Sequence, residues 1–222
     1  MPAAPLAAAQ SDGKTIIVTF LIFLVAAAAL AVTPGPGIAY VVARTVAGGR
    51  SEGLASCLGT AMGGMLHVVA AALGLSMIVA RSALAFELVK YLGAAYLIYL
   101  GVRLLRSRDR ALAIDAVAAR GARRALLEGV AVEALNVKTA LFFLAFLPQF
   151  VSPDAPLISQ LVLLGSLCVT LNTLVDVVAV LAADRLLGSE VARTVRARLL
   201  TRVSGVTMLG LGACLALARR EA

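Results

Sequence analysis

The chain has 222 residues, of which 61% are apolar and only 14% charged, with a formal net charge of +8. A soluble domain carries nearer a quarter charged residues, and a mean hydropathy of +0.98 excludes an ordinary water-soluble fold. The basic excess would point to nucleic acid in a soluble chain; here the basic residues sit in the gaps between apolar blocks, where they set topology, and no nucleic-acid partner is expected.

Two blocks are long enough to cross a bilayer unaided. Thr15 to Pro34 is an uncharged run of 20 residues, and Gly53 to Ala80 one of 28 when His67 is neutral; a bilayer core of roughly 30 Å takes about 20 residues of helix. Lipid leaves only helices or a closed barrel. The blocks are rich in Leu and Ala without two-residue alternation, so they predict helices.

Six segments follow in chain order: about 15–34 (continuing past a break to about 47), 54–80, 84–104, 125–150, 157–183 and 200–218. The first is read as a retained span, not a cleaved leader. The third needs Lys90 and Arg103 to snorkel to opposite interfaces. The fourth carries Glu128, Glu133 and Lys138 and is the weakest by hydropathy. With alternate gaps on alternate sides, fourteen basic residues fall on one side and five on the other. That bias predicts six crossings with both termini outside the cytoplasm. The Arg-rich loop at about 103–124 is ordinary cytoplasmic-side signalling in this scheme, binding to anionic lipid being the other option.

The expected class is therefore an all-α polytopic membrane protein, one transmembrane domain over 1–222. A faint internal repeat divides it, with Gly93 and Gly101 in the third segment answered by Gly205 and Gly212 in the sixth. Three spans followed by three place the halves, about 15–105 and 125–218, in opposite orientation, the inverted plan of many secondary transporters.

Two places carry chemistry. In Thr33-Pro34-Gly35-Pro36-Gly37 the prolines lack donors and clash with the preceding turn, so no helix continues through it. Either it is an interfacial turn, or it is a helix break whose exposed ends bind a charged or zwitterionic solute. At a comparable depth in the second half lies Glu133-Ala-Leu-Asn136-Val-Lys138. A charge at mid-bilayer costs about 2.5–3.5 kcal/mol, so it faces a partner or a wet path. Glu133 and Lys138 are five apart and do not share a helix face well. The partner expected for Lys138 is Asp176, otherwise isolated in a long uncharged stretch, with Asp176 taking up a proton during a cycle. His67 is read as hydrogen-bonded within the bundle, proton relay being the alternative, and Gly59-x-x-x-Gly63 as a close-approach surface.

Enzymatic equipment is missing from the sequence: it has no HExxH, GxGxxG, P-loop or GxSxG pattern. Cys57, Cys168 and Cys214 lie one per segment without a CxxC and read as packing residues. No cofactor and no metal are expected, and any coupling within the chain would draw on an ion gradient.

The motifs resemble the lysine-exporter (LysE/RhtB) family of amino-acid exporters from about residue 16 to 218. The resemblance rests on Thr33-Pro34-Gly35-Pro36, on Gly53-Leu-Ala with Gly59 and Gly63-Gly64, on Leu92-Gly93-Ala-Ala-Tyr96-Leu-Ile-Tyr-Leu-Gly101, and above all on Leu135-Asn136-Val-Lys138 through Pro148-Gln149-Phe150. It implies six helices in two inverted halves in a bacterial cytoplasmic membrane. It also implies export of amino acids or their derivatives, driven by the proton-motive force. Pro34, Gly35 and Pro36 match the first family signature; Asn136 and Lys138 match the Asn-Pro-Lys signature of the fourth span. Two departures stand out. Gly37 occupies the place where the family usually has Asp or Asn, and Val137 replaces the middle proline, so the fourth helix need not break. Both changes predict a site less polar or less open.

The expected function is a secondary exporter of a small zwitterionic amino acid, proton-coupled, with Pro34, Gly35, Pro36, Asn136 and Lys138 binding substrate and Asp176 coupling protons. Its partners are that substrate, protons and the lipid bilayer, a homo-oligomer being left open. A divalent-cation exporter of related fold, a membrane redox protein and a non-transporting assembly protein are the alternatives.

Overall fold

The computed structural model describes residues 4–75, 83–106, 118–152, 155–186, 202, 205–213 and 216–217. The described residues are helical or lie in short connections, with no strand among them. The helices are α1 (Ala4–Val32), α2 (Pro36–Ala70), α3 (Ala83–Arg106), α4 (Ala122–Ala134), α5 (Val137–Leu141) and α6 (Leu157–Leu186). A further helical stretch covers 205–213. Cys214, loop residues 107–117 and much of the sixth predicted segment lie outside the described residues.

By length and composition two stretches can cross a membrane, Pro36–Gly74 and Leu157–Ala183. Ala122–Ala134 with Val137–Phe150, bent by 44°, makes a third if the pair is one broken span, and Ile17–Val32 is a shorter apolar helix. The outward surface is unsuited to water: Val25, Leu84, Leu163 and Val178 are 71%, 83%, 68% and 63% exposed. Such an apolar perimeter fits acyl chains.

α1 stops at Val32 for the reason the prolines supply. Thr33 precedes Pro34 and is pushed away from the helical region, and Pro36 opens α2 at a position where no donor is needed. α2 itself is not one rod. Gly49 interrupts it at φ 73° and ψ −171°, a left-handed conformation that favours glycine. A Cβ on Gly37 would lie 3.9 Å from Thr60 Cγ2, whereas a straight helix would separate these residues by roughly 34 Å. The arms 36–48 and 50–70 therefore fold back on one another. The first arm follows α1 in the chain beyond its break and covers the part of the first predicted segment that reaches about residue 47.

Glycines set the approach of α2 to α4. Gly59 faces the backbone of Leu126 and Gly129, and a Cβ on Gly63 would stand 2.7 Å from the Val130 carbonyl and 2.8 Å from Glu133 Cβ. The GxxxG pattern thus does what it does between membrane helices generally. The repeat glycines also meet. A Cβ on Gly101 would be 2.8 Å from the Gly205 carbonyl, and one on Gly212 would be 2.9 Å from the Ala94 carbonyl. The two stretches that resemble each other in sequence pack against each other.

The fourth predicted segment breaks, contrary to the expectation raised by Val137. α4 ends at Ala134, and Asn136 is extended, its Oδ1 accepting from the Lys138 amide at 3.1 Å. A side chain that caps its own backbone competes with helix continuation, so asparagine suffices without proline. Beyond α5 the chain widens into a π turn at Phe142–Phe146 and tightens to a 3-10 turn at Leu147–Phe150, around the donor missing at Pro148. Phe142 and Phe143 are fully or almost fully buried there, in one cluster with Phe23 and Phe146.

Lys90 does not snorkel outward. It is 3% exposed and pairs with Glu87 at 2.9 Å, a local partner that removes the need to reach the interface. Cys57 and Cys168 are buried and unpaired, as packing residues are.

Candidate functional site

The breaks at 33–35 and 135–136 open onto the same cavity. It is lined by Ala31, Thr33, Ile38, Thr60, Ala61, Gly64, Glu133, Asn136, Lys138, Thr139, Phe143, Val169, Asn172, Thr173 and Asp176. Its empty space, including the part open to solvent, is about 460 Å³. Of the residues predicted for the site, Asn136, Lys138 and Asp176 line it directly, while Pro34, Gly35 and Pro36 form the connection beside Thr33.

Lys138 crosses to the first half of the chain. Its Nζ donates to the Thr33 carbonyl at 2.9 Å and to the Leu30 carbonyl at 3.3 Å. The last carbonyls of a helix have no intrahelical partner, and a cation there also meets the negative end of the helix dipole. Gly35 makes the reach practicable, since a Cβ at that position would lie 3.0 Å from Nζ. The role of Gly35 is spatial: its φ of −139° is open to any residue.

The expected Lys138–Asp176 pair is not formed. Asp176 Oδ2 accepts instead from the Thr60 hydroxyl at 3.0 Å. Lys138 and Asp176 share the cavity, each held by a different neighbour. A lysine that has two backbone carbonyls as acceptors needs no carboxylate to satisfy it.

Glu133 is the site residue that the sequence reading left unassigned. Its Oε1 accepts from the Thr139 hydroxyl at 2.6 Å and its Oε2 from the Asn136 amide at 3.0 Å. Its backbone carbonyl accepts from His67 Nε2 at 2.8 Å, which gives His67 the bundle hydrogen bond expected of it. The signal that could have found Glu133 is its place three residues before Asn136, where the helix break folds that side chain back onto it. Thr60 and Thr139 were also missed; each adjoins a motif residue, Gly59 or Lys138. The place beside Gly37, where the resemblance expects a polar side chain, is taken by the Glu133 carboxylate.

A second polar cluster ties the Gly49 turn to the start of α4. Arg44 is 1% exposed, lies 3.5 Å from Glu52 and donates to the Ala118 carbonyl at 2.9 Å. Glu52 Oε1 accepts from the backbone amides of Arg120 at 2.8 Å and Gly121 at 2.6 Å. Tyr40 donates to the Ala125 carbonyl at 2.8 Å.

A polar cavity between broken helices with an apolar outer surface, with one lysine and two carboxylates in its wall, fits a membrane transporter. The family model for LysE type translocators matches residues 28–219, and the chain belongs to that family. A homoserine/homoserine lactone efflux protein of Salmonella typhimurium is 30% identical over 202 residues, covering 89% of this chain and 95% of the relative. An uncharacterised membrane protein of Vibrio cholerae is 31% identical over 206 residues, covering 90% of this chain and 97% of the relative. A leucine efflux protein of the same Salmonella is 31% identical over 146 residues, covering 63% and 66%. No solved structure matches the chain.

Proposed function

We propose that this protein exports an amino acid or amino-acid derivative across the bacterial cytoplasmic membrane, driven by inward proton movement. The observation that carries the proposal is the meeting of two helix breaks, one from each half, at a single polar cavity. The start of α2 has no side-chain cap, so its amides and positive dipole end suit a carboxylate. Lys138 adds positive charge on the same side, and Asp176 is the group that takes up the coupling proton. In this scheme the chain crosses six times as two inverted halves, with both termini outside. The Gly101–Gly205 contact supports that plan, since equivalent helices of the two halves lie together.

The names of the relatives suggest L-homoserine and L-leucine as first probes. Cells making the protein or its Lys138→Ala variant, fed a dipeptide mixture, are compared by mass spectrometry of amino acids in the medium. Export predicts a rise of one or a few amino acids with the intact protein alone. No rise at equal membrane level overturns it, and metal efflux is then the next assay.

A further inference from the structure

Glu133 is placed with unusual completeness for an incidental charge. It is 9% exposed, and each part of it has its own support. His67 holds its carbonyl, Gly63 leaves room for its Cβ, and Asn136 and Thr139 fix one carboxylate oxygen each. The carboxylate itself lies in the space that a side chain at position 37 would take, since a Cβ on Gly37 would stand 2.7 Å from Oε2. All of its hydrogen-bond donors on the described residues are neutral. No ion pair involves Glu133 among them, although it lines the cavity.

A carboxylate offers about four acceptor positions, and two are filled. Burying a charge without a cationic partner is costly, so an anion held rigidly at a cavity wall is arranged for a cation that comes and goes. Lys138 spends two of its three donors on the carbonyls that end α1 and forms no ion pair with Glu133 among the described residues. The geometry points to Glu133 as the anchor for the ammonium group of the transported amino acid, met on the cavity side of a carboxylate for which the missing side chain of Gly37 leaves room. The inference rests on the export reading of the same cavity and assigns the ammonium end of the substrate. Gly37 is then complementary to Glu133: an aspartate at 37 would bring its own carboxylate close to where Oε2 now lies.

The test uses everted membrane vesicles carrying the full chain, with radiolabelled L-leucine and L-homoserine as probes. 2-Hydroxy-4-methylpentanoate, which has a hydroxyl in place of the leucine ammonium, serves as competitor. The intact protein should prefer leucine to the hydroxy acid, and Glu133→Gln should lose at least about tenfold of that preference, the factor carried by one charged hydrogen bond. Gly37→Asp and Glu133→Ala should each be inactive, and the double variant Gly37→Asp/Glu133→Ala should regain transport and preference. A structural role for Glu133 would lower transport without altering that preference. The inference is overturned if Glu133→Gln discriminates like the intact protein, or if the double variant, at equal membrane level, is no better than Glu133→Ala. A protein that moves neither probe and none of the medium amino acids overturns the export reading, and this inference with it.

Discussion

Lys138 Nζ lies 2.9 Å from the carbonyl oxygen of Thr33, so a lysine from the second half of the chain closes the end of a helix in the first. The contact joins the two helix breaks mechanically. Any movement that withdraws Lys138 from the cavity also frees the end of α1. An occluding substrate carboxylate and the α1 carbonyls would then compete for one cation, which is a simple way to couple occupancy to helix position.

Lys138→Ala should abolish export and lower stability. It leaves the Leu30 and Thr33 carbonyls without their donor, at about 1–3 kcal/mol for a buried polar group left unsatisfied. Lys138→Arg should fold but transport poorly, since a planar guanidinium does not fit the space over Gly35. Export assays paired with thermal unfolding in detergent separate the two effects; normal export by Lys138→Ala would contradict the role.

Asp176→Asn should keep the fold, because the Thr60 hydroxyl still has an oxygen to donate to. Gradient-driven export should fall to the level seen with a protonophore, while exchange of labelled for unlabelled substrate persists. Export by this variant that still responds to the proton gradient would remove Asp176 from coupling.

Gly59→Val should be among the most damaging apolar changes. A Cβ at 59 would overlap the Leu126 carbonyl, and the added bulk would force α2 and α4 apart. Overpacking costs about 1–3 kcal/mol when the neighbours can shift, and backbone shifts less readily than side chains. Membrane yield and melting temperature should both drop, whereas Gly74→Ala, where nothing lies within 4 Å of the added Cβ, should be tolerated.

Arg44→Met should destabilise by about 3–5 kcal/mol, the usual cost of stranding one member of a buried pair. Glu52→Gln added to it should recover part of the loss, because the glutamine oxygen can still accept from the Arg120 and Gly121 amides. Proteolysis near 118–121, followed with time, reports whether that connection has come loose from the Gly49 turn. Equal stability of the single and double variants would show that the pair is not coupled.

Local chemistry alone settles membrane residence, the helical class and the break at Pro34–Pro36, since hydropathy and a missing donor act on their own neighbourhood. The motif at Asn136–Lys138 is legible in the same way as a charged spot at membrane depth. Its consequences are not. Val137 argued for a continuous helix, yet Asn136 caps Lys138 and breaks it. Lys138 argued for a carboxylate partner, yet it bonds Thr33, 105 residues earlier in the chain. Gly37 looked like the loss of a polar group until α4 brought the Glu133 carboxylate into that space. Each of these outcomes depends on which side chains tertiary packing brings within hydrogen-bond reach, and no periodicity or composition within one segment encodes a partner lying in the other half.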